Sequence, residues 1–499
     1  MKKFANGAIK SIVKVLLSGV IGAVVVGVAV FVLHLESRPE LKIWHEATLD
    51  EEFTVDAGVD DFDGYLALED RLFAQLNERV LDHIEPEDQR LINRYHRGSL
   101  SDPARWPQNW NRTFELPADH PKVGVLLLHG MSDSPYSLRS IGQRLHESGA
   151  WVVGFRLPGH GTAPSGLVEV KYEDMAAAVQ LAMDRLREKV ADRPLYIVGY
   201  SNGGALAIHY VFRSIDDPLL PQVKGVALIS PSIGVTKVAA LAVWQDRLGN
   251  LLGLDKLAWT DLLPEYDPFK YSSFAVNAGH QVYRLTGEIQ QYFTKFGESG
   301  KLKKFPPIIA FQSAVDATVS TRAVVKSLFA KLPKGGHEFV LFDINRISEI
   351  ESVLTNDPKE DINTVINNPN LNFTFSLISN SDEASNDVVL RQTRPQRSDI
   401  AETPLNMIWP RGLYSLSHIA MPFPMNDRLY GKSGAIDRSI FQLGNMDLRG
   451  ERGVLQISAS AMLRLRWNPF YPYLEQRLLE MMDLPWQPEL LLEQPVSSL

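Results

Sequence analysis

The chain has 499 residues, 45% hydrophobic, 22% charged and 9% aromatic, which is enough apolar material for a large core and excludes a disordered or collagen-like polymer. Its formal net charge of -8, with no block of basic residues in the body of the chain, leaves no electrostatic footprint for nucleic acid, so no nucleic-acid partner is expected. The lack of cysteine excludes disulfides, thiolate metal sites and a cysteine nucleophile, and suits reducing and oxidising compartments equally.

Residues 15–33 run for 19 positions without a charge. At about 1.5 Å per residue, a helix of that length covers roughly 28 Å, close to the hydrocarbon thickness of a bilayer. Lys2, Lys3, Lys10 and Lys14 precede the run with no acid among them, whereas Glu36, Arg38, Glu40, Lys42 and Glu46 follow it. The expectation is a single N-terminal membrane anchor over residues 1–36. Its N-terminus would be cytoplasmic and the rest of the chain would lie on the non-cytoplasmic side, the periplasm in a bacterium. A cleaved signal peptide is the competing reading, but the run is longer than a usual signal-peptide core and no clean small-x-small site follows it.

Residues 37–119 form a polar extension with one amphipathic helix, 65–82, expected to pack on the following core. From residue 122 short apolar runs alternate with helical patterns. Strands are predicted at 124–129, 151–156, 195–199, 225–230, 307–312 and 338–342. Helices are predicted at 136–147 (stopped by Gly149), 172–190, 202–214 and 320–332. This rhythm predicts an α/β fold with a mostly parallel sheet flanked by helices, its core divided between 120–230 and 305–343.

Two insertions interrupt it. Residues 231–304 carry helical spacing at 243–254 and 279–296, a candidate helical cap or lid. Residues 344–411 are rich in Asn and Asp, with β-like runs at 373–378 and 388–391 that predict a hairpin at the sheet edge. Residues 412–499 form the C-terminal segment. No internal repeat is visible.

Hydrolysis of an acyl group needs a nucleophile, a base, a group to orient that base, and donors for the developing oxyanion. Gly199-Tyr200-Ser201-Asn202-Gly203 fits G-x-S-x-G and stands between a predicted strand and a predicted helix, where a strained turn would lift Ser201 out of the sheet. Gly199, Gly203 and Gly204 leave room for backbone to approach such a turn. The competing reading makes Ser201 a helix cap. His129-Gly130-Met131 ends the first of these strands, so the backbone N–H groups of Met131 and Asn202 are the expected oxyanion hole, with His129 and Gly130 supporting the loop.

The acid should follow a later strand, as Asp316 does; Asp343, ending the next strand, is its rival. Four histidines follow Ser201: His209 within the next helix, His280 in the cap, His337 ahead of a strand, and His418 in a loop 75 residues beyond Asp343. Position favours His418. Ser201, Asp316 and His418 then form the expected catalytic triad, in the chain order of this kind of fold.

Together Leu128-His129-Gly130, Arg156-Leu157-Pro158-Gly159-His160-Gly161-Thr162 and Gly199-Tyr200-Ser201-Asn202-Gly203 resemble the α/β-hydrolase superfamily, in its carboxylesterase and monoacylglycerol-lipase-like branch. The resemblance covers about residues 122–343 and 412–425. It implies hydrolysis of carboxylic esters without metal or organic cofactor, with the segment at 231–304 shaping the substrate site. The oxyanion segment lacks the H-G-G-P-G pattern of prolyl-aminopeptidase relatives. Leu251, Leu252, Leu254, Leu257, Trp259 and Leu262 in the cap suggest an apolar acyl or acylglycerol-like substrate, small-molecule or lipid, although such a stripe also suits a core. An amidase or peptidase on the same triad, and a catalytically silent binding protein, are the alternatives.

Overall fold

The computed structural model describes residues 35–234, 255–348, 350–397, 399–432, 439–446 and 454–486, with part of the stretch 14–33. Among the described residues no helix is long and apolar enough to cross a membrane; the expected span at 15–33 lies partly outside them.

All six predicted strands form, with ends displaced by no more than one residue: β2 (Val123–Leu128), β3 (Ala150–Phe155), β4 (Leu195–Tyr200), β5 (Gly225–Ile229), β8 (Ile308–Ser313) and β9 (Glu338–Phe342). They pair in parallel and join a ten-stranded sheet. A three-residue strand too short to show a period, β1 (Phe114–Leu116), adds antiparallel beside β3. A separate antiparallel pair, β6 (Trp259–Asp261) and β7 (Phe274–Ala275), lies in the cap segment.

Alternate strand residues feed opposite faces, as the pleat requires. Leu126, Ile197, Ala310 and Leu341 join one apolar cluster, and Val125, Val198, Phe311 and Val340 join the other. The strands are buried on both faces because helices cover both. Helices Tyr172–Val190, Asn202–Asp216 and Val276–Glu298 pack on the first face. Helix Arg139–Glu147 and the C-terminal helix Tyr471–Met481 pack on the second.

Three predicted helices need correction. The one expected at 136–147 opens as a 3-10 turn, Pro135–Leu138, and becomes α-helical only at Arg139. The one expected at 320–332 ends at Ser327 and continues as the turn Phe329–Lys331, Pro333 forbidding a longer helix. The extension helix runs Phe62–Arg79, starting before the expected residue 65 because Asp61 Oδ1 accepts the Gly64 N–H at 2.7 Å.

The extension is riveted to the core by a buried ion cluster. Arg156, fully buried after β3, donates to Glu52 at 3.0 Å and to Glu69 at 3.1 Å, while the Tyr65 hydroxyl donates to the Arg156 carbonyl at 2.7 Å. In the cap segment, helix Val276–Glu298 covers the run expected at 279–296. The run at 243–254, with Leu251, Leu252 and Leu254, lies outside the described residues. Leu257, Trp259 and Leu262 are buried, the last two in the main core.

The late insertion builds more than a hairpin. Its first strand, β10 (Thr374–Asn380), pairs parallel to β9, and β11 (Asp387–Thr393) and β12 (Ile400–Ile408) then pair antiparallel. The third strand escaped the sequence reading because it is the exposed edge and carries Pro404, so it shows no apolar alternation.

Candidate active site

Ser201 stands between β4 and helix Asn202–Asp216 at φ +52° and ψ -115°, a conformation that an L residue holds only when its surroundings over-determine it. Here they do. The Ser201 N–H donates to the Ile229 carbonyl at 2.9 Å, and the Ser201 carbonyl accepts from Gly204 N and Ser232 N, each at 3.0 Å. The glycines permit the tightness: a Cβ on Gly203 would lie 2.0 Å from the Leu128 carbonyl oxygen, and one on Gly199 would lie 2.5 Å from that of Gly203.

The loop after β2 passes directly against this turn. A Cβ on Gly130 would meet Asp133 Oδ2 at 2.6 Å and Ser201 Cβ at 3.1 Å. His129 braces the loop: its Nδ1 pairs with the Gly130 carbonyl at 2.8 Å and its Nε2 accepts the Leu157 N–H at 3.1 Å. Burial, with His160 beside it, pushes the His129 pKa well below 6.5, so the ring is neutral and its Nδ1 carries the proton. Among the described residues neither the Met131 nor the Asn202 backbone N–H has an acceptor.

Asp316 and His418 come together: His418 Nδ1 lies 2.8 Å from Asp316 Oδ2, both side chains being buried. The other carboxylate oxygen accepts from the N–H groups of Thr318 at 2.8 Å and Val319 at 2.9 Å. Burial by itself raises the Asp316 pKa. His418 and the two N–H groups outweigh it and hold the carboxyl below 3.8.

His418 opens a 3-10 turn, His418–Ala420, and its ring centroid lies 5.4 Å from that of Tyr200, the residue before Ser201. The chain reaches this place through hydrogen bonds to two strand ends. Ser313 Oγ donates to the Leu416 carbonyl at 2.9 Å, and Asn345 N donates to the Tyr414 carbonyl at 2.7 Å.

The remaining candidates lie elsewhere. Asp343 is held by Arg346 at 2.7 Å and 3.0 Å. His337 Nδ1 accepts from Ile308 N, and burial lowers its pKa to about 4. His209 Nε2 faces Glu288 at 3.5 Å, and His280 lies on helix Val276–Glu298. No group of three or more His, Asp or Glu among the described residues is placed to hold a metal ion.

Two residues near the serine were not anticipated. The Ser201 hydroxyl pairs with Ser232 Oγ at 3.0 Å, not with His418. Lys270, from the cap segment, donates to Asp133 at 2.8 Å and to Ser132 Oγ at 3.1 Å, tying the cap to the loop after β2. Ser232 follows a predicted strand end, as Asp316 does, which is the only signal that could have drawn attention to it.

Residues 119–343 match the family model described as serine aminopeptidase, S33. With the parallel sheet and the strained serine between β4 and its helix, that match decides the superfamily. The chain carries an α/β-hydrolase domain. It is similar to a thermostable monoacylglycerol lipase from a Bacillus species, 27% identical over 123 residues, covering 25% of this chain and 46% of the relative. It is also similar to phospholipase YtpA from Bacillus subtilis, 28% identical over 119 residues, covering 24% of this chain and 44% of the relative. The α/β-hydrolase chain thus spans about half the length of the curated relatives it matches. A structure of monoglyceride lipase from Saccharomyces cerevisiae aligns over 46% of this chain and 82% of that one, at 14% identity and a TM-score of 0.36.

Proposed function

We propose that this α/β-hydrolase cleaves carboxylic esters with apolar acyl groups through Ser201, His418 and Asp316. The observation that carries the reading is the strained, hydrogen-bond-locked turn at Ser201, with the ring of His418, its Nδ1 held by a buried carboxylate, 5.4 Å from that of the preceding Tyr200. In this reading His418 Nε2 takes the Ser201 proton as the hydroxyl attacks the ester carbonyl, after release from Ser232. The N–H groups of Met131 and Asn202 receive the oxyanion, and Asp316 orients the imidazole and stabilises its charge. The C–O bond to the alcohol breaks as His418 returns the proton to it. Water, deprotonated by His418, then frees the acid from the acyl enzyme. The names of the two Bacillus relatives support an ester, and the description of the matched family supports the same machinery on amides as a second reading.

The test is labelling of the purified chain with a fluorophosphonate, comparing wild type with Ser201→Ala, His418→Ala and His337→Ala. Label lost in the first two and kept in the third is expected; a folded wild type that takes no label overturns the reading. Comparing a butyryl ester with an aminoacyl arylamide separates esterase from aminopeptidase.

The proposal extends to a membrane anchor at residues 15–33, with the hydrolase domain on the non-cytoplasmic side. In its support, the helical Leu16, Leu17, Val20, Val25, Val26, Val30 and Leu33 are each 60–64% exposed, an apolar row that water does not favour. Pelleting with membranes that resists alkaline carbonate is expected; release into the supernatant overturns it. In the same proposal, residues 231–304 act as a lid and 37–119 as a bracing extension.

A further inference from the structure

A cavity of about 1250 Å³ opens beside His418, between the loop carrying Asp316 and the late insertion. Its position matters for the chemistry proposed above, on which this inference rests. His418 hands its proton to the departing alcohol, so the alcohol portion of the substrate must lie against His418. The cavity is lined by His418 and Asp316, which makes it the candidate place for that portion.

The cavity wall is strongly polar, and most of its charges are already matched. Asp316 holds His418, Asp361 and Arg322 pair at 2.6 Å, and Asp357 faces Arg346 at 3.4 Å. Glu360 is exposed and flanks Arg322 with Asp361, and Lys359 faces Glu383 at 4.0 Å. Arg464 is different: among the described residues its guanidinium has no hydrogen bond or ion pair. It is held next to the histidine loop, because the Ser417 hydroxyl donates to the carbonyl of the following residue, Leu465. It is also near enough to Tyr200 to oppose the rise in that phenol's pKa, which burial dominates. Thr321, another lining residue, has a buried hydroxyl without a partner.

We propose that this cavity binds an anionic alcohol portion, phosphate- or carboxylate-bearing, through Arg464, so that the esters cleaved here carry a negative charge on the leaving-group side. A guanidinium with five unused donors suits a phosphate or carboxylate, and a charge-assisted pair is worth on the order of ten- to a hundredfold in affinity.

Two readouts test it. First, kcat/KM is compared for 1-butyrylglycerol and 1-butyrylglycerol 3-phosphate in wild type, Arg464→Gln and Arg464→Lys, with thermal melting of each variant as the folding control. The expected result is preference for the phosphate ester in wild type, lost ten- to a hundredfold relative to the neutral ester in Arg464→Gln and partly kept in Arg464→Lys. An unchanged ratio in Arg464→Gln overturns the proposal. Second, calorimetric titration with glycerol 3-phosphate, glycerate and glycerol reads the cavity without turnover. Arg464-dependent binding of either anion supports the subsite even if neither ester is cleaved and Ser201 takes no fluorophosphonate, in which case the hydrolase reading alone falls. Anions that bind no better than glycerol, or equally well to Arg464→Gln, sink the subsite whatever the labelling shows.

Discussion

His418 Nδ1 and Asp316 Oδ2 lie 2.8 Å apart although 102 residues separate them in the chain. The two side chains sit on loops leaving the same end of the sheet, one after β8 and the other returning there past three added strands. The carboxylate is fixed on its far side by the Thr318 and Val319 N–H groups, so the imidazole meets a group that cannot swing away. Replacing Asp316 by Asn keeps that shape but stabilises the wrong tautomer of His418. A fall in kcat of about 10⁴ with little change in KM is expected, measured on a short-chain ester.

The same carboxylate makes stability depend on acid. Its folded pKa is held below the ordinary 3.8, so its contribution is fully present above the unfolded value and disappears as pH falls through the folded one. Melting temperature measured from pH 6 downward should fall less steeply below about pH 4 in Asp316→Asn than in wild type. Identical slopes would show that the pair adds nothing to folding.

Loss of Ser201 is expected to cost on the order of 10⁶ in turnover. The strained backbone adds a second, independent expectation. Glycine adopts the Ser201 φ of +52° without a Cβ penalty, so Ser201→Gly should melt above Ser201→Ala, relieving strain of about 1–3 kcal/mol less glycine's own entropy cost. Differential scanning calorimetry of the two variants decides the order.

Gly203→Ala should be among the most damaging small substitutions. The new methyl would stand 2.0 Å from the Leu128 carbonyl oxygen and 2.7 Å from that of His129, backbone atoms that a side-chain shift cannot move aside. A loss of at least about 1–3 kcal/mol in urea unfolding, with weakened fluorophosphonate labelling, is expected.

Arg156 links the extension to the core. Arg156→Met leaves Glu69 buried without its cation, and burial already pushes that carboxyl's pKa up. A loss of about 3–5 kcal/mol is expected, partly recovered in Arg156→Met with Glu69→Gln, which leaves only the less buried Glu52 without its cation. Failure of the double variant to recover would mean that packing of the long arginine stem, not its charge, secures the extension.

The sequence by itself determined the parallel sheet and the position of the serine. Strands buried on both faces read as continuous apolar runs, and G-x-S-x-G between strand and helix is a local pattern whose glycines are needed by atoms only a few residues away. Residues Asp316 and His418 were legible only as positions in an order, because nothing local distinguishes a loop carboxylate or a loop histidine from any other. Only the tertiary structure decided that the 75-residue detour leaves the sheet edge and returns: β10 pairs with β9, and Asn345 and Ser313 hold the returning chain. Nor could the sequence show the edge strand β12, whose exposed residues alternate nothing, or the Ser201–Ser232 contact and the unmatched Arg464. Periodicity records which face is buried, whereas pairing between distant side chains depends on where separate loops converge, and that is set by the packing of the whole domain.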